Sequence, residues 1–325
     1  MKKFLAALAG AFFVALSLIG FAACDNGADD GKITVYAPDG APALSIARLI
    51  SENTDLGKQT SYHVVSSGEI TSHVTYEDES KNADLCILPV NAASKLLGSG
   101  ARYKMLGTVT HGNLFIVANK DKEDITSQNF ASALEGKKVG VVNLSAFPGA
   151  VFKLLLSNYN ISDKVTLGNV VVTEVIGTES NYDYFVIPEP QASTRVGNNN
   201  LELKFVGSLQ SLYGENGYPQ AVLVAKNSLI KSEPQFIANF MQAMQANAAW
   251  LTDESVELST IISAVSSIYP SFNSQNFTKN SIKNSAVRFS ASVDCKTAVI
   301  TVLNELKAAG DATATTVSDD FFYIP

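Results

Sequence analysis

The chain has 325 residues, 46% of them hydrophobic and 17% charged, with a formal net charge of −7. That length suits two domains of ordinary size, and the apolar share excludes a disordered polymer. No lysine- or arginine-rich block follows the first three residues, which excludes a nucleic-acid-binding face.

The opening segment is an export signal and not part of the fold: Lys2 and Lys3 precede an apolar run from Phe4 that ends in small residues. The run closes on "GFAAC", which resembles a bacterial lipobox with Phe21 where leucine is usual. The expectation is a signal peptide over 1–23, lipidation at Cys24, and a lipidated tether over 24–31, "CDNGADDG", too polar to pack. The alternatives are an uncleaved anchor, for which the run is nearly long enough, and ordinary secretion. Each places the folded part outside the cytoplasm.

From Lys32 short strands alternate with helices. "KITVY" reads as a strand and "APDG" as a turn. "APALSIARLISEN" reads as one helix, with Pro42 in its first turn and Ala43, Ile46, Ala47 and Ile50 on one face. "SYHVVS" is a strand, "SGEITSHVTYEDES" a helix, "ADLCILP" a strand and "VNAASKLLGSG" a helix closed by glycine. "YKMLGTVTHGNLFIVANK" supplies one or two strands. The cycle then restarts. "ITSQNFASALEG" is a helix, "KKVGVVN" a strand and "LSAFPGAVFKLLLSNY" a turn entering a helix. "NVVVTEV" and "YDYFVIP" are strands, "EPQASTRVG" a short helix and "LELKFVGS" a strand.

Two stretches nearly repeat: "NADLCILPVNAAS" (82–94) and "NYDYFVIPEPQAS" (181–193). "VYAPDGAPALSIARLI" and "VGVVNLSAFPGAVFKLLL" form a second pair in the same order. Two lobes of one α/β design explain both pairs, with helices between strands implying largely parallel sheets. "PQAVLVAKNSLI" is strand-like again, and the helix after it carries Phe236, Phe240, Met244 and Ala248 on one side. The remainder reads as mostly helical and ends in "DDFFYIP", so the chain returns to complete the first lobe. Cys86 and Cys295 each sit alone in apolar segments and read as buried thiols, although export also permits a disulfide.

In such sheets ligands bind beyond the carboxyl ends of strands, where loops feed helix amino ends. The loops to inspect are "APDGAPA", "SSGEI", "LPVNAAS", "TVTHGNL", "LSAFPGA", "VTEVIGTES" and "IPEPQAS". Asp39 and Ser67 also fit as helix caps, and Phe147 fits either a ligand wall or its own lobe's core. Asp39, Glu69, Glu174 and Glu189 lie in these loops, and Arg195 is the nearest arginine. The imbalance favours a neutral or cationic ligand whose ring nitrogens meet acids, unless those acids simply face water. No nucleophile elbow, zinc-protease helix, phosphate loop or Cys-x-x-Cys pair is present, so no enzymatic activity, cofactor or metal is expected. Of the three histidines, His63 falls in a strand and His73 in a helix, while His111 occupies a turn facing the cleft.

Cys24 with "YAPDGAPALSIARLI", "ADLCILPVNAASKLL", "GNLFIVANK", "AVLVAKNSLIKSEPQFIANFMQAM" and "DDFFYIP" resembles the ABC-transporter substrate-binding lipoproteins. The nearest group serves nitrate, sulfonate, taurine and thiamine-precursor uptake. The resemblance implies a two-lobed periplasmic-binding-protein fold of type II, each lobe a mixed, mainly parallel sheet flanked by helices. It implies lobe 1 over 32–118 and 219–325 and lobe 2 over 119–218. It further implies a monomer, lipid-anchored on the outer side of the cell membrane, that passes a small molecule to an ABC permease and its ATPase. Ligand contacts carried over are Asp39, Gly40, Ala41, Ser67, Glu69, Asn91 and His111, then Ser145, Ala146, Phe147 and Glu189. Two rivals share the design: enzymes such as chorismate dehydratases or pyrimidine synthases, which work in the cytosol, and ligand-sensing lipoproteins.

Overall fold

A computed structural model describes residues 31–325 apart from 179 and 274–276. The signal peptide over 1–23, Cys24 and the tether up to residue 30 lie outside the described residues. Among those described, no helix is long and apolar enough to cross a membrane.

β-branched and aromatic residues recur along the strands, and proline closes those ending at 38, 89 and 188. The first sheet holds β1 (Ile33–Pro38), β2 (Thr60–Val65), β3 (Leu85–Pro89), β4 (Tyr103–Thr110), β10 (Ala221–Lys226) and β11 (Val287–Ala291), in the order β2-β1-β3-β10-β4-β11. β1 runs parallel to β2 and β3, whereas β10 is antiparallel to β3 and β4, and β11 to β4. β3 is an unbroken apolar run, Leu85 to Leu88 fully buried, because both faces of this central strand are covered.

The second sheet holds β5 (Leu114–Asn119), β6 (Lys138–Val142), β7 (Thr166–Val170), β8 (Tyr184–Pro188) and β9 (Leu203–Ser208), ordered β7-β6-β8-β5-β9. β6 is parallel to β7 and β8, and β5 is antiparallel to β8 and β9. Strand for strand this repeats the first sheet without β11. The near-repeat of sequence is therefore a repeat of place: β3 leads into α3 (Val90–Leu97) as β8 leads into α6 (Gln191–Gly197), each third in its sheet. The fold is two-lobed and mixed, with most strands of each sheet pointing one way. Each sheet's reversed inner strand is the first one formed after the chain crosses over: β5 follows β4, and β10 follows β9.

The crossing falls at 111–113 and not at 118/119, which lies inside β5, a strand paired along its length with the second sheet. The return passes through α7 (Leu209–Tyr213) and 214–220. The two crossings lie against each other. The Gln220 amide donates to the Thr110 carbonyl at 3.0 Å. Gly217, at φ +66°, lies so close that a Cβ there would sit 2.1 Å from the His111 carbonyl.

Between the sheets, α3, α5 (Phe147–Asn158), α7 and α12 (Ser292–Ala308) share one apolar core with both. The first sheet's other face is covered by α2 (Ala47–Ser51), α9 (Pro234–Thr252), α10 (Leu258–Ser266) and α11 (Lys279–Asn284). On β8's other face, α6 covers a smaller cluster. Cys86 and Cys295 are buried and unbridged.

Several elements differ from the sequence reading. The expected helix over 41–53 breaks into α1 (Ala41–Leu44) and α2. The break frees the Leu44 carbonyl and the Arg48 amide, and buried Asn247 of α9 satisfies both at 3.0 Å. The helix expected in 67–80 is only two 3₁₀ turns, Ile70–Val74, which holds His73, and Glu79–Lys81. Asp78 and Asn82 bond the neighbouring backbone there and compete with a helix. β7 stops at Val170, where Glu174 takes the Val171 amide at 2.8 Å. α4 (Phe130–Leu134) is a short turn of the helix expected in 125–136. β10 runs into α8 (Asn227–Ser232). β11 lies in a stretch read as helical, and its pairing with β4 makes it a strand.

Candidate functional site

A cavity of about 590 Å³ opens between the two sheets. Its walls come from just beyond four parallel strands: Pro38 to Pro42 after β1, Pro89 with residues of α3 after β3, Asn143 and Ala146 to Pro148 after β6, and Pro188 to Gln191 after β8. Convergence follows from the repeated strand order, since equivalent strand ends of both lobes face one cleft.

Asp39 turns the chain out of β1. Its Oδ1 accepts from the Ser67 amide at 2.9 Å and from the Ser67 hydroxyl, which ties the ends of β1 and β2 together. Gly40 has φ +83° and ψ −144°, a conformation open to glycine alone, and it sets Ala41 and Pro42 to start α1 along the wall. Asn91 spends its amide group on Asp311 Oδ2 at 3.1 Å and Thr313 Oγ1 at 2.6 Å, drawing the C-terminal segment into the wall. In the second lobe Pro148 opens α5, whose amino end faces the cavity. Phe147 there is 7% exposed, its ring centroid 6.1 Å from that of Tyr218.

The structure thus brings Asp39, Gly40, Ala41, Ser67, Asn91, Ala146, Phe147 and Glu189 to one cavity. It leaves out three expected residues. Glu69 is exposed just before a 3₁₀ turn and Ser145 is exposed on its loop. His111 lies in the crossing, buried, its Nε2 paired with Thr108 Oγ1 at 2.9 Å. Burial, with Arg288 nearby, pushes its pKa down to about 3, so the ring is neutral and serves packing. Glu174 and Arg195 are also spent elsewhere: Arg195 donates to the Val175 and Thr173 carbonyls.

The sequence reading missed Lys95, Asn113, Asn143, Gln220 and Thr313, all in the lining. Asn113 and Gln220 immediately precede β5 and β10, the reversed strands, whose starts and not their ends point to the cleft. A rule about carboxyl ends passes over Gln220, whereas Asn113 lay in the inspected loop "TVTHGNL" beside His111, which was chosen in its place. Asn143 follows β6 directly and was within that rule's reach. Nothing in the sequence around Thr313 marks it as a wall residue.

The charges at the cavity are Asp39, Glu189 and exposed Lys95. Glu189 is already held by three donors, accepting from the Ser193 amide and hydroxyl at 2.9 and 2.7 Å and from Asn284 at 2.9 Å. What remains on offer is Asp39, a set of carboxamides, and flat apolar surface from Phe147 and several prolines. That combination suits a neutral or cationic molecule with hydrogen-bonding edges.

The sequence model of the family described as NMT1/THI5 like matches residues 68–257. Among curated proteins none matches the chain. Solved structures match over nearly its whole length. An ABC transporter from Parabacteroides distasonis is 18% identical, with 91% of this chain and 99% of that chain covered and a TM-score of 0.72. The periplasmic aliphatic sulphonate binding protein SsuA from Escherichia coli is 10% identical, with 91% and 92% covered and a TM-score of 0.65. The alkanesulfonate-binding protein SsuA from Xanthomonas axonopodis pv. citri, bound to MOPS, is 11% identical, with 88% and 96% covered and a TM-score of 0.59.

Proposed function

Since the chain belongs to the NMT1/THI5-like family, we propose that it is an extracytoplasmic solute-binding lipoprotein of an ABC import system. The observation that carries this reading is the cavity itself, walled by both lobes where two short crossings allow one lobe to turn on the other. A small molecule settles against one lobe, the second closes over it by a hinge motion, and the closed form docks on a permease driven by an ATPase. The lipid on Cys24 keeps the protein at the membrane surface.

The ligand we favour is a neutral or cationic heteroaromatic of the thiamine-precursor kind. Phe147 offers a face for its ring, and Asp39 and the carboxamides offer partners for its nitrogens. A small sulfonate or nitrate-like anion is the second reading. Lys95 and the amino end of α5 favour it, while two carboxylates in the same cavity oppose it.

A thermal-shift screen of residues 32–325 against pyrimidines, vitamins, amino acids, sulfonates, nitrate and bicarbonate tests the proposal, because a ligand bound only by the folded state raises Tm. A rise with pyrimidines and none with sulfonates is expected. A compound consumed during the incubation would replace capture by catalysis.

A further inference from the structure

The segments that pass between the lobes meet at Glu189. Its backbone pairs twice with Asn113 of the first crossing, N–H to Asn113 O at 2.9 Å and carbonyl from Asn113 Nδ2 at 3.3 Å. Asn113 Oδ1 in turn accepts from Gln220 Nε2 of the return crossing at 2.8 Å. The Glu189 side chain takes two donors from Ser193 in α6 of its own lobe. Its third donor, Asn284 Nδ2 at 2.9 Å, comes from the end of α11, which packs on α9 of the first lobe and also touches α6 of the second. Two residues further on, Ala286 accepts the His111 amide at 3.2 Å, so this segment also abuts the crossing.

Glu189 is 2% exposed. A carboxylate taken out of water is tolerated only where donors replace the water, and removing one donor leaves an under-paired buried charge. One of those donors belongs to the other lobe. Turning the lobes apart would strip Asn284 from Glu189 and make the carboxylate seek water instead. Asn113, Gln220 and Glu189 also line the cavity, so a ligand resting on them bears on the same network. We infer that Asn284 is a positioning residue of the binding site, holding the lobes at the angle seen in this structure through Glu189. Capture between the lobes, as proposed above, gives that tie its purpose, but its test needs no ligand.

Spin labels on Glu69→Cys and Ser145→Cys, exposed and on opposite lobes, report the angle in the ligand-free full chain. Cys24→Ala leaves only the introduced pair accessible, since Cys86 and Cys295 are buried. Asn284→Ala should lengthen the label distance by more than about 2 Å. Asn284→Asp alone, facing Glu189 with a second carboxylate, should also lengthen it. The double variant Asn284→Asp with Glu189→Gln restores a hydrogen bond of reversed polarity and should return the wild-type distance. Equal distances in wild type and Asn284→Ala would overturn the inference and leave a purely structural contact, whatever happens to Tm. A double variant that stays open would overturn it as well. A chain that binds none of the screened solutes would sink the proposed function and leave these distances unaffected.

Discussion

The two lobes share a strand order but not a thickness. In the first, α2, α9, α10 and α11 bury one whole face of the sheet under residues such as Leu49, Phe240, Ile261 and Ile282. In the second, the corresponding face carries a small cluster around Phe115, Phe185 and Val175. Topology therefore places the cavity between the lobes, whereas the added helices decide which lobe resists unfolding. The first lobe is the frame and the second is the part light enough to move. Amide exchange should show it, with β6 to β8 opening at lower free energy than β1, β3 and β10.

The sharpest contrast comes from Phe240→Ala, which should cost about 4 kcal/mol because the site lies deep in the four-helix cover and cannot collapse. Urea denaturation should find Phe185→Ala less costly, since its thinner cover can relax; equal losses would remove the asymmetry. Next comes Asn247→Ala. It leaves the Leu44 carbonyl and the Arg48 amide buried without partners, a loss of about 3 kcal/mol. The second lobe has no equivalent, because α5 runs unbroken where α1 and α2 divide.

The crossings supply an effect that appears only as pH falls. His111 has a folded-state pKa of about 3 against an ordinary 6.5, so between those values the unfolded chain binds more protons. Stability should fall as pH drops from 6.5 toward 3, by at most about 1.4 kcal/mol per pH unit from this group. His111→Gln should flatten the slope in melts between pH 7 and 4, and an unchanged slope would refute the assignment. The smallest effects belong to surface ion pairs. Lys58–Glu233 in the first lobe and Lys204–Asp124 in the second are both partly exposed, and removing either lysine should change stability by less than about 1 kcal/mol. A larger loss at Lys58 would mean that surface charge contributes to the frame's advantage.

Much of the site was legible because proline, glycine and asparagine mark strand ends, and parallel strands bring those ends to one edge. Asp39, Gly40 and Phe147 needed only that rule. His111 misled for a related reason: its turn does lie between the lobes, yet the imidazole folds back onto Thr108 and never reaches the cavity. Glu69 misled because its segment, expected to be helical, forms a 3₁₀ turn that buries Ile70 and Val74 and leaves Glu69 exposed. The short helix break at Ser45 and Ile46 was hidden as well, since Asn247, which stabilises it, lies some two hundred residues away.

By itself the sequence determined the alternation of strands and helices, the doubled α/β plan and the turns that line a cleft, because each depends on local periodicity and backbone preference. Only the tertiary structure decided which strands run backwards, where the chain crosses, and that Glu189 is held from both lobes. Those are outcomes of pairing between distant segments, and a hydrogen bond from Asn284 to Glu189 leaves no trace in the residues beside either partner.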